Sequence, residues 1–357
     1  MIAARGYAAH QAHSALKPFA FERRELGEKD VHIEILHCGI CHSDIHQVNN
    51  DWGGSTYPIV PGHEIVGRVV AIGGNVTKFK IGATVGVGCM VDSCRSCGPC
   101  GDGVEQMCEN GATWTYNSRD KRHGGVTYGG YSDRIVVDES FVLSVAEHLD
   151  LARVAPLLCA GITTYAPLRR WLRGPTTDPA LPGRGKRVGV VGLGGLGHMA
   201  VKFARAFGAD EVVVFTTSAS KKDDALALGA TEVVLSKAAD AMKLQRNRLD
   251  VIIDTVSANH DMAPYLAALR PEGVHCLVGL PGEIPALNPF SLVGGQKILT
   301  GSSIGNIRET QEMLDFCAKH GVLSDIEPTT FSALESAYKR VEASDVKYRF
   351  VLDAKSL

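Results

Sequence analysis

The chain has 357 residues, of which 45% are hydrophobic and 21% are charged, and its formal net charge at pH 7 is -2. That length suits two domains, and that composition is typical of a globular protein rather than a disordered or fibrous one. A nearly neutral chain lacks the basic surface that binds nucleic acid or an anionic membrane. We therefore expect neither as a partner.

The N-terminus and the apolar stretches bear on location. Residues 1–16 contain no apolar run of signal-peptide length, and no stretch reaches the roughly 18 apolar residues of a membrane span. We therefore expect a cytoplasmic protein that is not bound to a membrane. Disulfides are disfavoured in that compartment, so clustered cysteines are expected to bind metal.

Short β-branched runs dominate the first part of the chain. The stretches DVHIEILHCGI, EIVGRVVAIG, ATVGVGC and SDRIVVDES are punctuated by Gly, Pro and Asn, which predicts strands. From Leu151 the pattern of apolar residues becomes typical of helices, in ARVAPLLCAGITTYAPLRRWL. The stretch RGPTTDPALPGRGK after it is predicted to be a long surface loop or linker. The first part is therefore expected to be β-rich.

A different rhythm follows. KRVGVVG is a predicted buried strand, and the helix after it carries Leu196, Met199, Phe203 and Phe207 on one face. EVVVFTT, EVVL, LDVIIDTV and GVHCLVGL continue the strands, with a short helix in SKKDDALALGA. Alternating strands and helices predict a parallel, doubly wound sheet. RETQEMLDFCAKHG then predicts an amphipathic helix and KYRFVLD a closing strand.

The stretch VVGLGGLG carries a G-x-G-x-x-G pattern between a predicted strand and a predicted helix, which is the context that dinucleotide binding demands. Glycines permit the tight turn and let a pyrophosphate approach the N–H groups at the helix start. An ordinary glycine-rich turn is the alternative. The expected cofactor-binding residues are Gly192, Gly194, Gly195, Leu196 and Gly197.

The end of the second strand indicates which cofactor is used. An NAD site usually places Asp or Glu there to bind the adenosine ribose, but FTTSASKK has no carboxylate. Thr216, Thr217, Ser218 and Lys221 instead offer donors and positive charge for a 2′-phosphate. A serine cap followed by solvated lysines is the alternative. The missing acid favours NADP.

Two sets of cysteines point to metal. Cys94, Cys97, Cys100 and Cys108 form a C-x2-C-x2-C-x7-C loop, which suits a closed structural zinc site, with an iron–sulfur cluster as the competing interpretation. The second set is dispersed: CGICHSDIH, PGHE and LLCAGITTY. Taken singly, its Cys and His residues are unremarkable core or surface residues, and spacing alone does not join them.

The chain resembles a known family. CGICHSD, PGHEIVG, the four-cysteine loop, CAGITTY and VVGLGGLGHMAVK occur in the order seen in zinc-dependent medium-chain alcohol dehydrogenases, over nearly the whole chain. TWTYN, GGYSD and ETQEMLDF are similar to the branch of cinnamyl alcohol dehydrogenases and broad-specificity aldehyde reductases. TTDPALPG is longer than the family's usual connection. The implied fold is α/β: a GroES-like β-barrel catalytic domain beside a Rossmann domain.

The resemblance implies domain limits and residue roles. The catalytic domain would cover residues 1–155, the NADP-binding domain 156–292, and a segment returning to the catalytic domain 293–357. A catalytic zinc would be bound by Cys41, His63 and Cys159, with Glu64 able to join the ligands. The further expected roles are orientation of His63 by Asp44, a proton relay through Ser43 and His46, and a substrate pocket lined by Trp52, Trp114 and Ile304.

The expected enzyme is therefore an NADP-dependent alcohol dehydrogenase or aldehyde reductase with two zinc ions per chain, acting as a homodimer on aromatic and aliphatic aldehydes. A polyol or secondary-alcohol dehydrogenase is one alternative. A non-catalytic NADP- or zinc-binding protein, or a zinc-free quinone reductase, would be expected to lack Cys41, His63 or Cys159. Arg349 is expected at the cofactor phosphates or in a surface salt bridge, and Cys89, Cys276 and Cys317 as small packed residues.

Overall fold

The computed structural model describes residues 1–172, 182–284 and 286–357. They form two compact units: Met1–Cys159 together with Gly305–Leu357, and Ala160–Ile304. The division thus falls after residues 159 and 304, where the sequence led us to expect 155 and 292. Most of the predicted linker, residues 173–181, lies outside the described residues.

The first stretch of the first unit is mainly strands, as its β-branched runs predict. In chain order its elements are β1 Ile2–Ala8, β2 Lys17–Arg23, β3 Asp30–Gly39, α1 His42–Asn49, β4 Ile65–Ile72, β5 Thr84–Val87, β6 Met90–Asp92, α2 Gly98–Gly101, β7 Thr113–Trp114, β8 Arg134–Asp138, β9 Leu143–Ser144 and α3 Leu151–Val154. Short 3-10 turns also occur, among them Ala155–Leu158 directly before Cys159.

The second unit alternates helices and strands. Its elements are α4 Ala160–Leu172, β10 Arg187–Val191, α5 Gly197–Ala206, β11 Glu211–Thr216, α6 Lys222–Ala227, β12 Glu232–Leu235, α7 Ala239–Lys243, β13 Leu249–Asp254, α8 Ala263–Ala268, β14 Leu269–Leu277, α9 Phe290–Val293 and β15 Ile298–Gly301. The chain then returns to the first unit with α10 Ile307–His320, β16 Ile326–Thr329, α11 Leu334–Glu342 and β17 Arg349–Asp353.

A seven-stranded sheet organises the first unit. Its order is β16-β17-β3-β4-β5-β9, with β8 pairing β3. Along β3, Val31, Ile33 and Ile35 are buried while Glu34 is exposed, because successive side chains point to opposite faces. Strand β17 pairs antiparallel with β3, so the C-terminal strand completes the sheet begun by the N-terminal half.

The second unit contains the predicted doubly wound sheet. Its six strands are all parallel in the order β12-β11-β10-β13-β14-β15, which is the 3-2-1-4-5-6 order of a Rossmann fold. Strand β15 pairs with β14, and this pairing keeps residues up to 304 in the second unit. In α5 the predicted apolar face is confirmed, with Met199, Phe203 and the following Phe207 buried.

Among the described residues, no single helix has both the length and the apolar composition to cross a membrane. One bent pair, Leu151–Leu158 with Ala160–Leu172, meets those two criteria only when both helices are taken together.

Candidate active site, metal sites and dinucleotide site

Four buried side chains meet in the first unit although they come from distant parts of the chain. Cys41 is the N-cap of α1, His63 and Glu64 immediately precede β4, and Cys159 follows the 3-10 turn Ala155–Leu158. Their sulfur, nitrogen and oxygen ligand atoms all lie within 4.8 Å of one another. Two thiols, an imidazole and a carboxylate are donors that zinc accepts, so this cluster fits a zinc ion.

Asp44 fixes the orientation of the histidine in this cluster. Its carboxylate is fully buried and accepts hydrogen bonds from His63 Nδ1 at 3.0 Å, from the Gly62 N–H at 3.0 Å and from the Cys41 N–H at 2.9 Å. Because Nδ1 donates to Asp44, the other ring nitrogen is left to bind metal. The expected partnership of Asp44 and His63 is thus present in the geometry.

Arg349 does not lie where the sequence led us to expect it. It is not on the surface, and its partner belongs to the first unit. Its buried guanidinium lies 2.5 Å from the Glu64 carboxylate. Burial raises the pKa of Glu64 to about 8, although Arg349 opposes that shift. The expectation was wrong because Arg349 begins β17, a strand whose pairing with β3 is not visible in the local sequence.

Glycine makes room for this buried carboxylate. A Cβ atom at Gly39 would collide with the Glu64 carboxylate, and one at Gly62 would lie 2.8 Å from Cys38 Sγ. Gly62 also has a φ of 101°, which strains any residue with a side chain. The glycines of CGIC and PGHE are therefore required by packing around the metal cluster.

Ser43 and His46 lie on α1 beside Cys41. Cys41 Sγ is 3.7 Å from the Ser43 hydroxyl oxygen, and His46 Nδ1 contacts the Asp51 carboxylate at 2.8 Å. The His46 ring also packs on Trp52, with ring centroids 5.0 Å apart. His46 is one third exposed and lies on the same helix as Ser43.

Several neighbours of the cluster were not found from the sequence. The Tyr116 ring stacks on His63 with centroids 5.8 Å apart, and the Tyr131 hydroxyl donates to Asp44 at 3.3 Å. Cys89 is only half-buried and its thiol is hydrogen-bonded to Cys159, whereas we expected an inert packed residue. No local pattern distinguishes these residues, since only the fold brings them to the metal ligands.

The four-cysteine loop forms a second cluster, and all four sulfur atoms lie within 4.8 Å of one another. The Sγ atoms of Cys94 and Cys100 are 3.9 Å apart, as are those of Cys97 and Cys108. A tetrahedral zinc with Zn–S bonds of about 2.3 Å requires about 3.8 Å between sulfurs. An iron–sulfur cluster contains several atoms and would hold the thiols further apart, so the spacing favours a single zinc ion.

The turn between β10 and α5 has the shape expected of a dinucleotide site. Gly192 has a φ of 88°, and a Cβ at Gly197 would collide with the Gly192 carbonyl oxygen. A Cβ at Gly194 would meet nothing within 4 Å, so this position faces open space. Gly195 and Leu196 complete the turn and lead into the helix N-terminus, where backbone N–H groups favour a phosphate.

The residues proposed for a 2′-phosphate lie at the carboxyl end of β11. Thr217 is exposed, and Ser218 and Lys221 are half-buried, with Lys221 Nζ donating to the Leu193 carbonyl of the glycine turn at 2.9 Å. Thr216 is different: it is buried, and its hydroxyl oxygen accepts the Ser218 N–H at 3.2 Å. Its side chain therefore shapes the turn instead of facing solvent.

The three expected pocket residues fall in both units. Trp52 and Trp114 are 48% and 40% exposed in the first unit, an unusual state for tryptophan in the absence of a ligand surface. Ile304 ends the second unit with a φ of 41°, an uncommon value for a β-branched residue.

The chain matches two family models: an alcohol dehydrogenase GroES-like domain over residues 27–147 and a zinc-binding dehydrogenase over residues 195–319. It is 51% identical to the aldehyde reductase YahK of Escherichia coli (strain K12), covering 98% of this chain and 97% of that protein. It is 50% identical to a mannitol dehydrogenase of Petroselinum crispum, covering 95% of this chain and 97% of that protein.

Two solved structures are closely similar. The cinnamyl alcohol dehydrogenase SbCAD4 of Sorghum bicolor shares 47% identity at a TM-score of 0.93, covering 99% of this chain and 98% of that one. A CAD of Helicobacter pylori, solved in complex with NADP(H), shares 42% identity at a TM-score of 0.90 and covers 99% of both chains.

Fold, metal clusters and comparisons together define a zinc-binding oxidoreductase acting on alcohols and aldehydes. The chain belongs to the zinc-dependent medium-chain alcohol dehydrogenase family, in the branch that contains cinnamyl alcohol dehydrogenases and aldehyde reductases. The GroES-like and Rossmann parts of the fold expected from the sequence are thereby confirmed.

Proposed function

We propose that this chain interconverts aldehydes and primary alcohols with NADP(H) and works mainly as a reductase of aromatic and aliphatic aldehydes. The observation that carries the proposal is the buried cluster of Cys41, His63, Glu64 and Cys159, in a chain that also has a glycine turn suited to a dinucleotide. A hydride donor and a group that polarises the carbonyl oxygen are the two components that carbonyl reduction uses, and a metal ion can be the second.

Cys41, His63 and Cys159 would hold the catalytic zinc, with Glu64 as a neighbouring carboxylate. When bound, zinc polarises the substrate oxygen, and the reduced nicotinamide supplies a hydride to the carbonyl carbon. Asp44 keeps His63 in the tautomer that can bind metal, and Arg349 balances the charge of Glu64 in a buried environment. Cys94, Cys97, Cys100 and Cys108 would hold the structural zinc.

Ser43 and His46 would supply the proton that the product alcohol needs. Ser43 lies beside Cys41 with its hydroxyl near the thiol, and His46 is one helical turn further on the same helix. Asp51 holds His46 at Nδ1, which leaves Nε2 to exchange a proton with solvent. Trp52 and Trp114 would offer the substrate apolar surface that suits an aromatic ring.

NADP(H) is the favoured cofactor because the end of β11 carries donors and no acid. Thr217, Ser218 and Lys221 would bind the 2′-phosphate, with Thr216 holding the turn from below. The Helicobacter pylori relative that was solved with NADP(H) supports this choice. A pyrophosphate would lie over Gly194, Gly195 and Leu196, where α5 begins.

The test is NADPH oxidation with cinnamaldehyde, benzaldehyde and a short aliphatic aldehyde, repeated with NADH and after zinc removal and restoration. We expect turnover that prefers NADPH, is lost with zinc and returns with it. The ranking of the three aldehydes shows whether the substrate pocket prefers an aromatic or a short aliphatic group. A folded protein that binds NADPH and reduces none of them would refute the proposal.

Cofactor choice has its own variants. Ser218→Asp places a carboxylate where an NAD enzyme carries one, and Lys221→Ala removes the positive charge. We expect each to weaken NADPH binding by about tenfold, the effect of losing one charge-assisted contact, and Ser218→Asp to improve the use of NADH. Ala227→Asp, which adds a carboxylate at an exposed position of α6 further along the chain, is the matched control. Unchanged NADPH affinity in both variants would contradict the assignment.

A polyol dehydrogenase is the second candidate, supported by the Petroselinum crispum relative. Mannitol oxidation with NAD and with NADP separates the two, because a polyol substrate needs polar partners and an aromatic aldehyde needs apolar surface. Turnover of mannitol that exceeds that of every aldehyde in the panel would favour this alternative.

We also infer a cytoplasmic homodimer. Strand β15 has a paired neighbour on only one side among the described residues, and apolar side chains around it are exposed, including Leu280, Phe290 and Val293. An open edge strand beside exposed apolar side chains favours pairing with a second copy. Light scattering should give twice the chain mass, and Val293→Asp should shift it to the monomer. A wild-type monomer at micromolar concentration would contradict this inference.

A further inference from the structure

A group of ionisable side chains in the second unit has no part in the proposed function. Asp254 ends β13 and is fully buried, as is His275 of β14 beside it. One oxygen of Asp254, Oδ2, receives two ring nitrogens: His260 Nε2 at 2.8 Å and His275 Nε2 at 2.9 Å. The other oxygen, Oδ1, accepts the Val256 N–H at 3.1 Å.

The contacts of His260 define its protonation state. Its Nε2 faces the Asp254 carboxylate, and its Nδ1 faces the Ala258 carbonyl oxygen at 2.9 Å. Both partners are acceptors only, and a neutral imidazole can donate from just one of its two nitrogens. The imidazolium form alone makes both hydrogen bonds, so this geometry selects a charged His260.

His275 differs, because only one of its nitrogens has an acceptor. Its Nδ1 has no hydrogen-bond partner within the described part of the chain, and the whole side chain is buried. A neutral ring with the proton on Nε2 satisfies Asp254 and adds no buried charge. One carboxylate and one imidazolium thus balance each other, with His275 as a neutral donor.

This cluster lies directly beneath the glycine turn. Asp254 is paired with Val191, the residue before Gly192, in adjacent parallel strands. The next residue, Thr255, donates through its hydroxyl to the Val191 carbonyl at 2.7 Å. A Cβ at Gly192 would lie 2.9 Å from that hydroxyl and 3.0 Å from a methyl of Val256. The segment that begins with Thr255 and Val256 therefore packs, through these two residues, against the turn on which a dinucleotide would bind.

We propose that Asp254 and His260 are positioning residues that hold this segment against the glycine turn, and that dinucleotide binding is tighter when His260 is protonated. The inference rests on the proposed function, since it assumes that the turn binds NADP(H). Protonated His260 donates one hydrogen bond to the Asp254 carboxylate and one to the Ala258 carbonyl, and these two bonds hold the segment in place. Deprotonation removes one of those hydrogen bonds and leaves the charge of the Asp254 carboxylate unbalanced, across the strand pair from Val191, the residue before Gly192.

The electrostatics agree with the geometry. Partial burial lowers the pKa of His260, but the Ala258 carbonyl and the Asp254 and Asp261 carboxylates outweigh it, so the pKa lies above its usual 6.5. The other titratable groups near His260 are His275 of β14 and Tyr265 of α8. Burial raises the pKa of Tyr265 above its usual value of 10, so Tyr265 stays neutral in this range. Both hydrogen bonds of protonated His260, to Asp254 and to Ala258, are therefore present below about pH 6.5. One of them is lost as pH rises through the raised pKa of His260.

The first test measures the Kd for NADPH by fluorescence between about pH 6 and about pH 9 for the wild type and for His260→Gln. Glutamine donates to Asp254 and does not titrate. The ratio of the two Kd values cancels the titration of the cofactor's own phosphate. We expect this ratio to change by about tenfold across the range, the effect of one lost charge-assisted hydrogen bond. The same pH dependence in both proteins would overturn the proposal.

The control is His123→Gln. His123 forms a similar histidine–aspartate pair with Asp120 at 3.1 Å, but on an exposed loop of the first unit. It should follow the wild-type pH profile. If it instead flattens the profile as His260→Gln does, the effect is not specific to this cluster and the proposal fails.

The second test needs no cofactor. In the NMR spectrum of the cofactor-free protein, the ring of His260 should titrate above 6.5, and Asp254→Asn should return it toward that value. A His260 that titrates below 6.5 in the wild type overturns the proposal whatever the binding data show. If His260 titrates as expected but no NADPH binds at any pH, it is the proposed function that fails.

Discussion

Replacing Asp44 by asparagine should loosen the catalytic metal site and destabilise the first unit. Four donors converge on this buried carboxylate: the N–H groups of Cys41 and Gly62, Nδ1 of His63 and the Tyr131 hydroxyl. Asparagine keeps the shape but replaces one acceptor oxygen by an amide NH2, so two of the four donors lose their acceptor.

The magnitude follows from those contacts. A hydrogen bond to a charged group contributes about 1.5–3 kcal/mol, and partial relaxation leaves an expected loss of about 3 kcal/mol in the free energy of unfolding. Loss of a partner that orients a metal-binding histidine typically weakens metal binding by about 10–100-fold. Tyr131→Phe removes only one donor, at 3.3 Å, and should cost about 1 kcal/mol.

Two assays measure these effects. Urea unfolding gives the stability, and competition with a chromogenic chelator gives the affinity of the more weakly held zinc. Asp51→Asn is the matched control, because Asp51, like Asp44, is paired with a histidine, here His46, but is 40% exposed. This variant should change the free energy of unfolding by less than about 1 kcal/mol. If Asp44→Asn binds zinc as tightly as Asp51→Asn does, Asp44 does not orient a metal ligand and the argument is refuted.

Three further predictions concern packing, charge and the structural site. Gly197→Ala should lower the free energy of unfolding by about 1–3 kcal/mol, because its Cβ collides with the backbone. Gly194→Ala should fold normally and weaken NADPH binding. Equal stability of the two variants in thermal unfolding would contradict the packing analysis. Arg349→Met removes the cation beside the buried Glu64 carboxylate and should cost about 3–5 kcal/mol in urea unfolding above about pH 8, where Glu64 is ionised, and less below it; a loss no larger than for an exposed arginine would refute the pairing. Cys108→Ser should lower the zinc content by about one ion per chain, measured by atomic absorption, and unchanged content would show that the loop holds no zinc.

Much of the fold was predictable because it is written in local patterns. The parallel order of the second unit follows from strands alternating with helices, and the glycine turn follows from Gly192 and Gly197, whose backbone geometry excludes other residues. The four-cysteine loop was equally accessible, since its ligands lie within fifteen residues, Cys94 to Cys108. In each case short sequence distance and spatial proximity coincide.

The rest depended on contacts between distant segments. The pairing of β17 with β3 is what buries Arg349 next to Glu64, and nothing in KYRF announces that partner. Cys41, His63 and Cys159 could be joined only through a family resemblance, because Cys159 follows His63 by 96 residues (159 − 63) and Cys41 by 118 (159 − 41), and spacing carries no information at such separations. Asp254 and His275 went unnoticed for the same reason, as two adjacent strands bring them together.

The two metal clusters should consequently respond differently to unfolding. The structural site draws its ligands from one loop, so an unfolded chain can still gather them around zinc at a small cost in loop closure. The catalytic site needs β3, β4 and the turn before Cys159 in their folded arrangement, so its zinc is released when the sheet opens. Zinc bound there stabilises the native state in proportion to its affinity, because the unfolded state does not offer that site.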